Sequence, residues 1–216
     1  MNVLGIDAAA GAFSAAFLAE GRAPLTVVLP GNVALEGGLQ AISDVLPGGG
    51  SAQLDRIGVG IGPGSFTGVR IAISYAKSLA LGWKLPLCGI STFDAFELGL
   101  QLAGRPVLTA VRGYTGVVSV RLRTSEGEHR ASGYIRDVLD ALQPSLPKSF
   151  ALCGNGAEDV RAALGERGSH VEILARAVEP AALAIAMLAA EREPARWVHE
   201  VRADYGELPV AKVPKT

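Results

Sequence analysis

Short apolar runs alternate with turn residues at the start of the chain. Residues 3–7, 13–19 and 25–29 have the length and composition of strands, and the last two are joined by Glu20-Gly21-Arg22-Ala23. This spacing predicts three antiparallel strands in a row. Between residues 33 and 46 the period lengthens, and Val33, Leu35, Leu39, Ile42, Val45 and Leu46 recur as in a helix. Gly37 and Gly38 inside it cost about 1 kcal/mol each relative to Ala. A strand at 56–61, a helix at about 67–82, a strand at 86–90 and a helix at about 92–103 follow.

Beyond the break Ala103-Gly104-Arg105-Pro106, strands are expected at 107–111, 116–122, 149–153 and 171–174. The charged turn at 124–128 leads toward one more. Helices are expected near 133–142, 156–164 and 180–191. The first half thus reads β-β-β-α-β-α-β-α, an antiparallel meander continued by right-handed parallel crossovers, which is the order of a ribonuclease-H-like unit. The second half echoes it in part. The expected fold is α/β, with two ribonuclease-H-like domains as in the actin-like ATPase superfamily. Each is a mixed sheet with flanking helices, and the second is degenerate. Their expected extents are 1–104 and 105–216.

Composition narrows the function. Of the 216 residues, 49% are hydrophobic and 19% charged, which excludes intrinsic disorder. With 20 basic and 21 acidic residues the chain is not expected to grip nucleic acid by itself. Charge is also uneven: residues 1–104 hold five Lys/Arg and seven Asp/Glu, the remainder 15 and 14. So few charges cannot clothe a surface, so the first half is either mostly buried or partly covered by a partner. Cys88 and Cys153 form no CxxC pair, so no disulfide framework is expected and a reduced, cytoplasmic setting is. The N-terminus lacks the basic region of a signal peptide. The longest apolar run, residues 181–190, falls well short of the roughly 20 residues of a membrane span and reads as a buried helix.

The segment richest in information runs from Gly58 to Ile71, where a strand ends, glycines turn the chain and a helix begins with Thr67 as a candidate cap. It is not a Walker loop, because Val69 follows Gly68 where Lys is required. It is not a GxGxxG fingerprint, because Pro63 replaces the third glycine, nor a GxSxG elbow around Ser65. In the helix that follows, Val69, Ala72, Ile73, Ala76, Leu79 and Ala80 form one apolar stripe, and Ile71, Tyr75, Ser78 and Gly82 a second. Arg70, Ser74 and Lys77 separate them. A helix apolar on two sides is covered on two sides. One stripe belongs on the sheet, the other on the neighbouring helix or on another subunit.

The run Gly62-Pro63-Gly64-Ser65-Phe66-Thr67-Gly68-Val69-Arg70-Ile71, with Leu79-Ala80 after it, resembles the signature of the bacterial TsaB family, also called YeaZ. Leu4-Gly5-Ile6-Asp7 and Gly89-Ile90-Ser91-Thr92 match in place. The resemblance covers residues 1–95; beyond them it is one of size and layout. It implies a non-catalytic paralogue of TsaD with the same actin-like fold, formerly grouped as glycoprotease-like. Its role would be that of scaffold and activating subunit in the threonylcarbamoyl modification of the adenosine beside the anticodon in tRNAs reading ANN codons. A TsaD-like catalytic partner, a TsaE-like ATPase in the full assembly and a homodimer when alone are implied. The chain would meet tRNA only through the complex, with no membrane involved. No tightly bound cofactor is implied, and ATP or ADP would sit only at the complex junction. The partner surface is expected on Leu35, Leu39, Val69, Ile73, Ala76 and Ala80, and the signature loop on Gly62, Gly64, Ser65, Thr67, Gly68 and Arg70.

No catalytic or metal-binding residues are expected. The resemblance implies that the catalytic relative holds its metal with two histidines one turn apart on a helix, and His129, His170 and His199, 41 and 29 residues apart, offer no such pair. Ala8-Ala9-Ala10 after Asp7 carry none of the hydroxyls of an actin-like phosphate turn, so Asp7 is expected only to accept backbone hydrogen bonds there. The second half departs from the family at residues 110–118, which lack the usual acid, and at 203–211, a faint form of the usual ending. The strand-to-helix turn Cys153-Gly154-Asn155-Gly156 is a minor candidate for a nucleotide loop; direct tRNA binding is not expected at net charge −1, and Arg121, Arg123 and Arg130 are the one local candidate patch for it. The competing reading is an actin-like ATP-dependent kinase of a small metabolite, using Asp7 and the Gly62–Gly68 loop around phosphates.

Overall fold

A computed structural model describes residues 1–51, 53–102 and 104–206, so residues 207–211 of the expected ending lie outside the described residues. Among the described residues the chain forms two five-stranded mixed sheets. In the first, β1 (Val3–Asp7), β2 (Phe13–Leu18) and β3 (Leu25–Leu29) make the expected antiparallel meander, and β4 (Arg56–Gly62) and β5 (Leu87–Ser91) continue it in parallel. The strand order is β3-β2-β1-β4-β5. The second sheet holds β6 (Val107–Arg112), β7 (Val117–Thr124), β8 (Gly127–Tyr134), β9 (Ala151–Cys153) and β10 (Glu172–Leu174) in the order β10-β9-β6-β7-β8. Read from the meander outward, the two orders are the same. The second unit is therefore complete in strand order; β9 and β10 are short, with three residues each, whereas β7 and β8 run to eight.

Among the described residues six α-helices flank the sheets: α1 (Ala34–Val45), α2 (Phe66–Trp83), α3 (Thr92–Glu97), α4 (Ile135–Leu142), α5 (Ala157–Ala163) and α6 (Ala181–Glu191). Alternation along the strands decides which helices meet which face. Leu4, Ile6, Ile57 and Val59 point toward α1 and α2, whereas Val3, Cys88 and Ile90 point toward α6. The sheet partition thus falls on either side of Gly104, but α6 crosses back to cover the first sheet. Gly5 makes this possible, since a methyl group there would lie 2.1 Å from the Ala182 carbonyl oxygen. Both ends of α6 are tied to that sheet. The Ser14 hydroxyl accepts from the Ala182 N–H at 3.2 Å, and Arg56 donates to the Ala189 and Arg192 carbonyls at 2.9 and 2.7 Å.

The halves also meet through α3, which lays Phe93 and Phe96 against Val111. It ends at Glu97, six residues before the expected limit, because Gly99 (φ +78) turns the chain away. Its two carboxylates hold Arg121 of β7, whose side chain is only 2% exposed: Asp94 at 2.6 Å and Glu97 at 2.9 Å. Arg123 and Arg192 add bonds to Glu97 and Asp94 at 3.0 and 2.8 Å. Thr109 bonds Glu97 in turn, and the Cys153 thiol donates to Thr109. Burial raises the Asp94 carboxyl, but the hydrogen bonds and charges of Arg121 and Arg192 outweigh it and hold it below the usual carboxylate range.

Candidate functional site

The signature loop joins β4 to α2. Gly62 ends the strand, and Ser65, not Thr67, caps the helix: its hydroxyl accepts from the Gly68 N–H at 3.2 Å. The helix starts at Phe66, one residue before the expected start, which puts Thr67 and Arg70 in its first turns. Gly64 and Gly68 serve close approach. A methyl group at Gly64 would lie 2.2 Å from the Ala9 carbonyl oxygen, and one at Gly68 2.0 Å from that of Ala8. The Ser65 N–H donates to the Ala9 carbonyl at 2.9 Å. The loop therefore clasps the turn after β1, the turn that would cradle phosphate in a kinase of this fold. From the other side, Asn155 of the Cys153–Gly156 turn donates to the Ala10 carbonyl at 3.2 Å and accepts from the Arg112 N–H at 2.8 Å. The carbonyls of Ala8 and Ala9 thus face the backbone of the signature loop and that of Ala10 the Asn155 amide, acceptors where a phosphate needs donors.

Asp7 lies at the end of β1, 1% exposed, and accepts from the Ala10 N–H at 3.4 Å, the role expected of it. Burial pushes its carboxyl up to about 6, only partly opposed by backbone N–H groups and the charge of Arg176. Below the unfolded value both states carry the proton and Asp7 has no effect on folding. As pH rises from about 4 to 6 the unfolded chain ionises first, so stability falls, and above the folded value the loss is complete. Each unit of displacement is worth about 1.4 kcal/mol. Asp7→Asn is expected to flatten this slope and to stabilise the protein at neutral pH. Denaturant midpoints measured across that window check it; a parallel loss in both proteins would show that Asp7 does not titrate there.

The small-residue stripe of α2 faces inward. Val69, Ile73, Ala76 and Ala80 are buried on the first sheet, so these four cannot form the partner surface expected of them. Alanines let α2 lie close to the sheet, and that is where they went. The outward surface is made instead by Leu35 and Leu39, 69% and 54% exposed as expected of partner residues, beside the half-buried Ile71 and Tyr75. The Tyr75 hydroxyl donates to the Leu35 carbonyl at 2.6 Å, and its ring meets Phe13 edge-on. Gly38 permits this contact, since a methyl group there would sit 2.6 Å from the Tyr75 ring. Leu35, Thr67, Arg70, Ile71, Ser74 and Tyr75 wall a recess of about 250 Å³. Of the three candidate arginines for a tRNA contact, Arg121 is buried, and Arg123 and Arg130 pair with Glu97 and Glu128 at 3.0 and 2.6 Å. Among the described residues, no three His, Cys, Asp or Glu side chains gather as metal ligands, and no helix is long and apolar enough to cross a membrane.

Comparison with known proteins follows this geometry. The family profile described as "TsaD: tRNA N6-adenosine threonylcarbamoyltransferase" matches residues 48–192. The chain belongs to the TsaD family. Within it, the similarity runs to TsaB. The chain is 39% identical over 101 residues to the tRNA threonylcarbamoyladenosine biosynthesis protein TsaB of Escherichia coli, covering 46% of this chain and 44% of that one. The chain thus spans less than half the length of this curated relative. YeaZ from Pseudomonas aeruginosa superposes over 94% of this chain and 99% of its own with a TM-score of 0.68 at 22% identity. A Bacteroides thetaiotaomicron protein with an actin-like ATPase fold superposes over 80% and 90% with a TM-score of 0.51 at 10% identity. These two carry the fold: this TsaD-family chain is a pair of ribonuclease-H-like units, as its strand pattern predicts.

Proposed function

We propose that this chain is the scaffold and activating subunit of a tRNA N6-threonylcarbamoyladenosine synthase, with a TsaD-like catalytic paralogue docked on the outer face of α1 and α2. The observation that carries this reading is that face itself. Leu35 and Leu39 stand out from α1 beside the recess at Thr67, Ile71 and Tyr75, on the half of the chain with five Lys/Arg in all. The family match supplies the chemistry of the partner. In this reading the chain does no chemistry of its own, and the clasped turn after β1 supports that. A TsaE-like ATPase joins the assembly, any ATP or ADP sits at a subunit junction, and the substrates are tRNAs reading ANN codons. The same face pairs two copies when the partner is absent.

Light scattering after gel filtration, with the chain alone and mixed with the TsaD-like subunit of the same organism, tests the reading. A peak at the summed mass is expected. Leu39→Arg should weaken the mixed complex by about 2 kcal/mol, roughly thirtyfold, with unchanged circular dichroism because Leu39 is exposed. Ile73→Arg should instead unfold the first half. A Leu39→Arg protein that binds the paralogue normally would place the partner elsewhere.

A further inference from the structure

We infer that the junction between the two halves holds a second site: a stacking pocket for one unpaired nucleobase of an RNA strand, continued by a basic groove for its phosphates. The inference rests on the tRNA-modification reading above. A cavity of about 590 Å³ opens where the start of α2 faces β7, β8 and the β6–β7 turn, and Phe66, Tyr114 and Tyr205 line it. The chain is only 6% aromatic and has four tyrosines. Two of them line this one cavity and are exposed, and a third, Tyr134, is exposed beside Gly116 of the same turn. The Phe66 and Tyr205 rings lie 5.0 Å apart, and the Arg70 guanidinium sits 5.1 Å from the Phe66 ring. The hydroxyl-bearing Thr67, Ser119 and Ser132 line the same cavity, the last two bonded to each other at 2.7 Å, and among the described residues no charged side chain lines it. Rings and neutral hydroxyls suit a flat, uncharged body with hydrogen-bonding edges, which is what a nucleobase is.

The second observation lies on the far side of Tyr205. A recess of about 410 Å³ there is lined by Arg70, Lys77 and Arg202, and among the described residues no acidic side chain is in its wall. Among the described residues these three cations make no ion pair, whereas Arg121, Arg123 and Arg130 all do. The Asp204 carboxylate, next in the chain to Tyr205, is engaged by the Gly206 N–H at 2.9 Å and by Arg130 at 3.8 Å. Stacking rings beside free cations are the arrangement that holds single-stranded nucleic acid. With three cations the contact is weak alone, in keeping with a net charge of −1.

The test is fluorescence anisotropy of a labelled single-stranded oligoribonucleotide of roughly ten nucleotides, titrated with the full chain at low salt. Binding is expected, with a log–log salt slope of about −2 for three phosphates. Tyr114→Ala, at an exposed position, should weaken binding about tenfold and leave the slope unchanged. Arg202→Gln should flatten the slope by about 0.7. Absence of binding, or indifference to Tyr114→Ala in a protein with normal circular dichroism, overturns the inference. So does adenosine alone binding as tightly as the oligonucleotide, which would make the pocket a free-nucleoside site. Co-elution with the TsaD-like subunit is read on the same variants. Lost RNA binding with intact co-elution removes only this site, and lost co-elution of the unaltered chain removes the scaffold reading.

Discussion

Arg121→Met is expected to destabilise the protein by about 3–5 kcal/mol, the cost of breaking a buried ion pair from one side. The guanidinium of Arg121 is enclosed by Asp94, Glu97 and the Phe93 ring, 5.1 Å away. Methionine fills much of the volume but leaves the Asp94 and Glu97 carboxylates short of a donor. Arg123 and Arg192 remain, so the loss is not that of two bare charges. Arg123→Met at the partly exposed neighbour should cost about 1 kcal/mol or less. Urea unfolding of both variants gives the comparison. Equal, small losses would mean that apolar contacts of α3 join the halves and the ion cluster is incidental.

Gly68→Ala should be strongly damaging to the signature loop, costing about 3 kcal/mol through overpacking. The added methyl group meets the Ala8 carbonyl oxygen, which is backbone and cannot rotate away. Relief requires parting the loop from the β1 turn, which also strains the Ser65–Ala9 bond. Thr67→Ala, in the same loop, touches no such contact and should be nearly neutral for stability. A thermal melt distinguishes them, and a Gly68→Ala protein melting with the parent would show that the loop can open freely. Loss of function in such a variant reports folding rather than a lost ligand contact.

The strands of the first sheet were legible because each is a short apolar run, and β2, β3 and β4 are closed by a charged turn, proline or glycine. β8 was readable only as the far side of a turn. Its sequence, Gly-Glu-His-Arg-Ala-Ser-Gly-Tyr, is that of an exposed edge strand whose pairing comes from β7 rather than from its own apolar positions. It also claims residues 127–134, which is why α4 begins at Ile135. Two apolar stripes on α2 were visible in its periodicity, but their assignment was not. Periodicity says that a face is covered, and only the neighbouring backbone decides which side alanine fits. The run at 181–190 announced a buried helix for the same reason, apolar all round, without indicating which sheet buries it. The stacking cavity gave little local signal, since Phe66, Tyr114 and Tyr205 are scattered singly and meet only when the halves close.

The return of α6 to the first sheet sets an order of events during synthesis. All five strands of that sheet have been made once Ser91 is in place, yet Val3, Gly5 and Ile90 stay bare on one side until α6 leaves the ribosome roughly 100 residues later. At about 5–20 residues per second, the half-covered sheet persists for roughly 5–20 seconds. A nascent chain stalled before residue 181 would thus present an apolar sheet face, and that is the stage at which a chaperone would find it.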